Sequence, residues 1–76
     1  MNYKEFISLI EETQSMFDWR YGQAVMNVLQ AVCSRTYSKI VMTQNDCYND
    51  DTKVPETLKA IRAEWDKDAS MQETTL

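Results

Sequence analysis

The chain has 76 residues, 43% of them hydrophobic, and a formal net charge of −4 from 12 acidic and 8 basic residues. This length allows one domain, and the hydrophobic fraction is too high for a disordered chain. The acidic balance and the scattered basic residues argue against direct binding to a nucleic-acid backbone, which needs clustered Lys and Arg. One glycine and one proline leave few turn signals, which disfavours a β-sandwich or barrel.

The first predicted helix runs from Tyr3 to Ser15 or Met16. Asn2 is a favourable N-cap, and Glu5 lies three residues later, as in a capping box. An apolar face follows at helical spacing, made of Phe6, Ile10, Thr13 and Phe17.

A short turn at Phe17 and Asp18 leads to the next predicted helix. Asp18 is expected to cap that helix, because its charge suits the positive end of the helix dipole. Gly22, the only glycine, falls within the first turns, where it costs about 1 kcal/mol relative to alanine. The simplest reason for a glycine there is the close approach of a neighbouring helix or aromatic ring, with backbone contact to a ligand as the alternative.

The second helix is predicted to be central to the fold. Its apolar positions follow the spacing of one helix face: Tyr21, Val25, Val28, Leu29 and Val32. We expect a break near Ser34, because Ser and Thr compete with helical backbone bonding. A shorter helix then carries Tyr37, Ile40 and Val41, although a continuous helix would keep those residues on the same face.

A polar segment from about Thr43 to Lys53 is rich in Asn and Asp and is predicted to be a loop. Pro55 opens the last helix, in the first turn where proline is tolerated, with Asp51 or Thr52 as its cap. The apolar stripe of that helix comprises Val54, Leu58, Ile61 and Trp65.

These elements predict an all-α domain, a compact bundle of three to four short helices over residues 1–68. Residues 69–76 lack periodicity and are expected to form a flexible, disordered tail. The predicted core consists of Phe6, Ile10, Val25, Val28, Leu29, Leu58 and Ile61.

The chain has no histidine, which removes the commonest general base and the commonest zinc ligand. We therefore expect no enzyme activity, no catalytic residue and no cofactor. A calcium loop starting at Asn45 would place Glu56 at the twelfth position, but Asp50 stands where the EF-hand needs glycine, and Cys47 stands at a ligand position. No metal site is predicted.

Cys33 and Cys47 are the only cysteines, and they are expected to be free thiols in a reducing compartment. Glu11 and Glu12 close the short apolar run near the N-terminus, which does not resemble a secretory signal. No apolar stretch approaches the length of a bilayer span. The expected setting is the cytoplasm, with no membrane partner.

The aromatic residues suggest a protein-binding surface, because Trp, Tyr and Arg dominate binding hot spots. The alternative is that Trp19 folds back onto Trp65 or Phe17, and that Arg20 pairs with Asp18 or an acid of the loop. The candidate interface residues are Trp19, Arg20, Tyr21, Tyr48 and Trp65.

Residues 19–24 read Trp-Arg-Tyr-Gly-Gln-Ala and are followed by Asn27 and Leu29. With the Asp- and Tyr-rich loop at 46–50, Pro55 and Trp65, this pattern resembles small phage and prophage proteins that have no assigned activity. The resemblance covers about residues 3–66. Cys47 stands where a proline is frequent in that group. The resemblance implies a phage-encoded protein made in a bacterial cytoplasm.

These observations favour a non-enzymatic protein-binding module. A phage-encoded protein of this kind is expected to modulate or inhibit a host protein, including a component of a defence system, or to bind another phage protein. The first alternative is a structural or self-assembling accessory protein, such as a homodimer. The second is an acidic mimic of nucleic acid.

Overall fold

The computed structural model describes residues 1–75, with side chains described for residues 1–66. Within them the chain is all-α, as predicted. The helices are α1 (Tyr3–Phe17), α2 (Tyr21–Val32), α3 (Ser34–Ile40) and α4 (Val54–Thr75), and a 3-10 helix at Asp51–Lys53 precedes α4. The predicted flexible tail, residues 69–76, lies outside the residues whose side chains are described.

The start of α1 is a capping box, as the sequence predicts. The Asn2 side chain accepts a hydrogen bond from the backbone N–H of Glu5 at 2.8 Å, and the Glu5 carboxylate accepts one from the backbone N–H of Asn2 at 3.0 Å. Phe6 and Ile10 are buried on the predicted apolar face. Phe17 is not, because the helix ends there: Asp18 adopts the left-handed conformation and turns the chain away.

The central position of α2 is confirmed, since it packs against α1, α3 and α4. The predicted break is also found: α2 ends at Val32, and Cys33 leaves the helical region with φ −151° and ψ 76°. Val32 is exposed although it continues the apolar spacing, because the helix ends with it.

The core lies between α2 and the other helices. Of the seven residues predicted to form it, Leu58 is half-buried and packs against its edge, and the others are fully buried. The buried apolar residues are Phe6, Ile10, Ala24, Val25, Met26, Val28, Leu29, Ile40, Cys47 and Ile61.

The start of α4 carries Pro55 in its first turn, as predicted. Thr57, one turn further, is fully buried, and its hydroxyl lies 2.5 Å from the carbonyl oxygen of Asn45 and 3.0 Å from that of Lys53. This hydroxyl therefore joins α4 to the preceding loop. No helix among the described residues is long and apolar enough to cross a bilayer.

Candidate functional site

The segment that begins α2 is fixed to the loop before α4 through the side chain of Arg20. The guanidinium donates through Nη2 to the carbonyl oxygen of Tyr48 at 2.8 Å, and Nη1 lies 3.3 Å from Oδ1 of Asp51. Both charged side chains of the Arg20–Asp51 pair are about half exposed, so the ion pair adds little stability by itself. Its main effect is positional, because it ties the loop to the helix start.

At Gly22 the start of α2 and the loop backbone pack closely together. A Cβ atom at this position would lie 2.2 Å from the carbonyl oxygen of Cys47 and 2.7 Å from Oδ1 of Asp51. The predicted close approach is confirmed, but the neighbour is loop backbone instead of a helix or an aromatic ring. Gly22 has no positive φ, so the glycine is required by space and not by backbone conformation.

The expectation that Asp18 caps α2 is wrong. Asp18 is the left-handed C-cap of α1, and Arg20 occupies the N-cap position of α2, where its side chain makes no capping hydrogen bond to the helix. The free backbone N–H of Gly22 instead donates to Oδ1 of Asp51 at 3.0 Å. A carboxylate at a helix N-terminus satisfies an unpaired N–H and matches the helix dipole, so Asp51 caps α2 from a distant part of the sequence.

We call this set of contacts the loop clasp. Its other members are Gln23, whose amide lies 3.4 Å from the hydroxyl of Tyr48, and Cys47, whose thiol lies 3.6 Å from the carbonyl oxygen of Gly22. The residues of the loop clasp are Arg20, Gly22, Gln23, Cys47, Tyr48 and Asp51.

Asp46 and Asp50 accept hydrogen bonds from the loop itself. Asp46 accepts hydrogen bonds from the N–H of Met42 at 2.8 Å and of Tyr48 at 2.9 Å. Bonds from the hydroxyl and the N–H of Thr52 lower the pKa of Asp50 from its ordinary value. Among the described residues, no three of His, Cys, Asp and Glu are grouped as metal ligands.

Trp65 is placed apart from the loop clasp. Its ring packs against Phe6 at a centroid distance of 4.8 Å and meets Tyr3 edge-on at 6.1 Å. Its indole N–H lies 3.3 Å from the carbonyl oxygen of Met1. Trp65 is half-buried, and these contacts pack α4 onto the start of α1.

The other candidate residues flank the loop clasp or belong to it. Tyr21 is half-buried against the core, and burial, followed by the charge of Glu11, raises its pKa. Tyr48 keeps 37% of its surface exposed. Trp19 stacks on Phe17 with a centroid distance of 4.8 Å and an interplanar angle of 23°.

Phe17 and Met42 are exposed apolar residues that were not among the candidates. Phe17 is 54% exposed although its ring stacks on Trp19, and Met42 is 91% exposed. The apolar periodicity assigned Phe17 to the buried face of α1. Its exposure could have been predicted only by knowing that the helix ends at that residue. Met42 lies just beyond α3, where periodicity carries no signal.

Cys33 and Cys47 are not joined in a disulfide. Cys47 is fully buried, and burial raises the pKa of its thiol, although Thr57 opposes this by hydrogen bonding. Cys33 is half-buried, with its thiol 3.2 Å from the hydroxyl of Thr36. A buried thiol with a raised pKa is a poor nucleophile, so this geometry favours a packing role for Cys47.

Comparison with protein-family models, with curated proteins and with solved structures finds no match to this chain. The functional interpretation therefore depends on the chemistry of the described surface.

Proposed function

We propose that this chain is a non-enzymatic protein-binding module, and that the stacked pair of Phe17 and Trp19 forms the centre of its binding surface. We call these two residues the corner pair, because they lie at the corner between α1 and α2. The observation that carries the proposal is the 54% exposure of Phe17, an aromatic side chain that the core does not use.

The loop clasp supports this proposal by holding the corner in place. Arg20 directly follows Trp19 and is bound to both Tyr48 and Asp51, so the backbone on the α2 side of the pair is restrained. On the α1 side, the backbone N–H of Trp19 lies 3.3 Å from the carbonyl oxygen of Gln14. A preorganised aromatic pair loses little conformational entropy when a partner covers it.

The partner that we propose is a protein of the bacterial host, which the chain would modulate or inhibit. Support for this part comes from the resemblance of the segment at residues 19–24 and of the loop to small phage proteins. No feature of the described residues favours an enzyme instead: the sequence has no histidine, and the described residues contain no grouped set of metal ligands.

The test is recovery of a partner from bacterial lysate on the purified chain, followed by mass spectrometry. Phe17→Ser should lose the partner while its melting curve stays close to that of the unmodified chain. Val32→Ser is the matched control, because Val32 is also an exposed apolar residue at a helix end. Equal recovery by both variants, or recovery of no specific protein by the unmodified chain, would contradict the proposal.

A further inference from the structure

The chain leaves α3 through a type II turn that places a methionine in an unfavourable conformation. The N–H of Thr43 donates to the carbonyl oxygen of Ile40 at 3.1 Å, Val41 has φ −59° and ψ 136°, and Met42 has φ 62°. The third position of such a turn requires positive φ and favours glycine or asparagine. A side chain with a Cβ is disfavoured there.

The fold gains no packing from the Met42 side chain, which is 91% exposed. Its backbone is held by its N–H, which donates to Oδ2 of Asp46 at 2.8 Å, and a glycine would make the same bond. A large apolar residue that is both conformationally disfavoured and unburied therefore has no explanation in the stability of the domain. An outlier of this kind is a starting point for a functional hypothesis.

An open groove of about 250 Å³ lies beside this turn. Its volume is below the usual range for a small-molecule pocket and suits one large protein side chain. Met42 is not itself a lining residue, but it adjoins the groove, since it follows Val41 in sequence and its N–H is bonded to Asp46, both of which line the groove. The lining residues are Met26, Tyr37, Val41, Asp46, Tyr48 and Asn49.

The charges around the groove select the kind of partner. Asp46 lines it, the fully exposed Asp50 follows its Tyr48–Asn49 wall, and the lining contains no Lys or Arg. Of the neighbouring cations, Arg20 is bound at Asp51 and Lys39 at Glu64, 2.8 Å away, while Lys53 lies near Asp50 and helps to lower the pKa of that carboxyl, which is not part of the groove lining. A basic partner is therefore complementary to this surface.

A second copy of this chain fits less well. Each copy has a net charge of −4, and the exposed Phe17 that it would offer to the groove is followed directly by Asp18. Bringing that carboxylate beside Asp46 and Asp50 would be repulsive.

We propose that the groove, with Met42 adjoining it, receives an apolar side chain from a partner segment that carries Lys or Arg beside it. We call this surface the Met42 groove. Tyr and Met walls adapt to side chains of different shape, and the acidic rim attracts the flanking positive charge. The inference rests on the proposed protein-binding function and gives the chemical class of the segment recognised.

The probe is a synthetic amphipathic peptide of leucine and lysine, compared with a matched peptide in which glutamate replaces every lysine. Nitrogen-15 chemical shifts of the full chain are followed during titration. We expect the lysine peptide to shift the amides around the Met42 groove and to bind less tightly as salt rises, whereas the glutamate peptide should not bind.

Met42→Gly separates binding from folding, because glycine is favoured at this turn position. We expect its melting temperature to equal or exceed that of the unmodified chain, and its affinity for the lysine peptide to fall about tenfold. Met16→Ala, at another exposed methionine, is the matched control and should bind as the unmodified chain does.

Equal binding by the Met42 and Met16 variants, or shifts confined to other surfaces, would overturn the inference. So would a dimer of the unmodified chain that Met42→Gly dissociates, because the occupant would then be a second copy. The two proposals can fail separately. If Phe17→Ser loses the protein recovered from lysate but the peptide shifts no amide of the groove, the protein-binding function stands and only this inference is contradicted. Peptide binding at the Met42 groove with no protein recovered would remove the corner pair proposal alone.

Discussion

Asp51 accepts a hydrogen bond from the backbone N–H of Gly22 at 3.0 Å, although the two residues are 29 positions apart in the sequence. The bond gives α2 the N-terminal cap that its adjacent residues do not supply. Because the same carboxylate oxygen also lies 3.3 Å from Arg20, one side chain links the helix start, the arginine and the 3-10 helix. Arg20 directly follows Trp19 of the corner pair and also binds the carbonyl oxygen of Tyr48, which lines the Met42 groove.

Gly22→Ala is expected to destabilise the chain, although alanine is usually the better helix former. The new Cβ would lie 2.2 Å from the carbonyl oxygen of Cys47, which is backbone and cannot rotate away. Overpacking of this kind costs about 1–3 kcal/mol of unfolding free energy. Urea denaturation measures it, with Gln30→Ala on the exposed side of the same helix as the control. An alanine variant as stable as the unmodified chain would show that the loop does not contact Gly22.

Asp51→Ala should lower the unfolding free energy by about 1–2 kcal/mol, because α2 loses its only side-chain cap. Asp18→Asn is the matched control, since asparagine tolerates the left-handed conformation and Asp18 does not cap α2. Thermal and urea unfolding of both variants compare the two acids directly. A larger loss of unfolding free energy for Asp18→Asn than for Asp51→Ala would contradict this account and would indicate that Asp18 caps α2, as the sequence predicted.

The two thiols should differ in reactivity. In denaturant both should titrate, whereas in the native chain Cys47 should react far more slowly than Cys33, because Cys47 is fully buried and burial raises the pKa of its thiol. A time course with an aromatic disulfide reagent measures the two rates, and Cys33→Ser should leave only the slow phase. Two equally fast thiols in the native chain would contradict the buried position of Cys47.

Calcium at millimolar concentration should leave the melting temperature unchanged, with magnesium as the control for ionic strength. The carboxylates of the loop already accept hydrogen bonds from the chain itself, at Asp46, Asp50 and Asp51. A metal would have to displace those bonds before it could bind. A calcium-specific rise of several degrees would show binding to the folded chain and would contradict this account.

Local contacts were predictable from the sequence, and distant ones were not. Asn2 and Glu5 lie three positions apart, so their reciprocal capping is visible in the sequence itself. Gly22 predicted a close approach because glycine is unfavourable inside a helix unless space requires it. Nothing in the sequence identified the neighbour as the Cys47 carbonyl, 25 positions later. The choice of Asp51 among the acids of the loop required the folded backbone.

Helix ends explain two of the differences between the predicted and the observed burial. Phe17 and Val32 both continue an apolar spacing, yet each is the last residue of its helix and is exposed. Periodicity assumes that the helix continues, so it fails where the chain turns. The interface role predicted for Trp19, Arg20 and Tyr21 stays a prediction. Arg20 also has a structural role, because its side chain binds the loop.

The central claim is that the corner pair faces a partner protein, and photo-crosslinking from position 17 tests it most directly. A photoreactive phenylalanine analogue replaces Phe17 in one variant and Ser8, an exposed residue on α1, in the control. Both variants are irradiated in bacterial cells. We expect an adduct of discrete mass from position 17 and none from position 8. No adduct from position 17, or the same adducts from both positions, would contradict the claim.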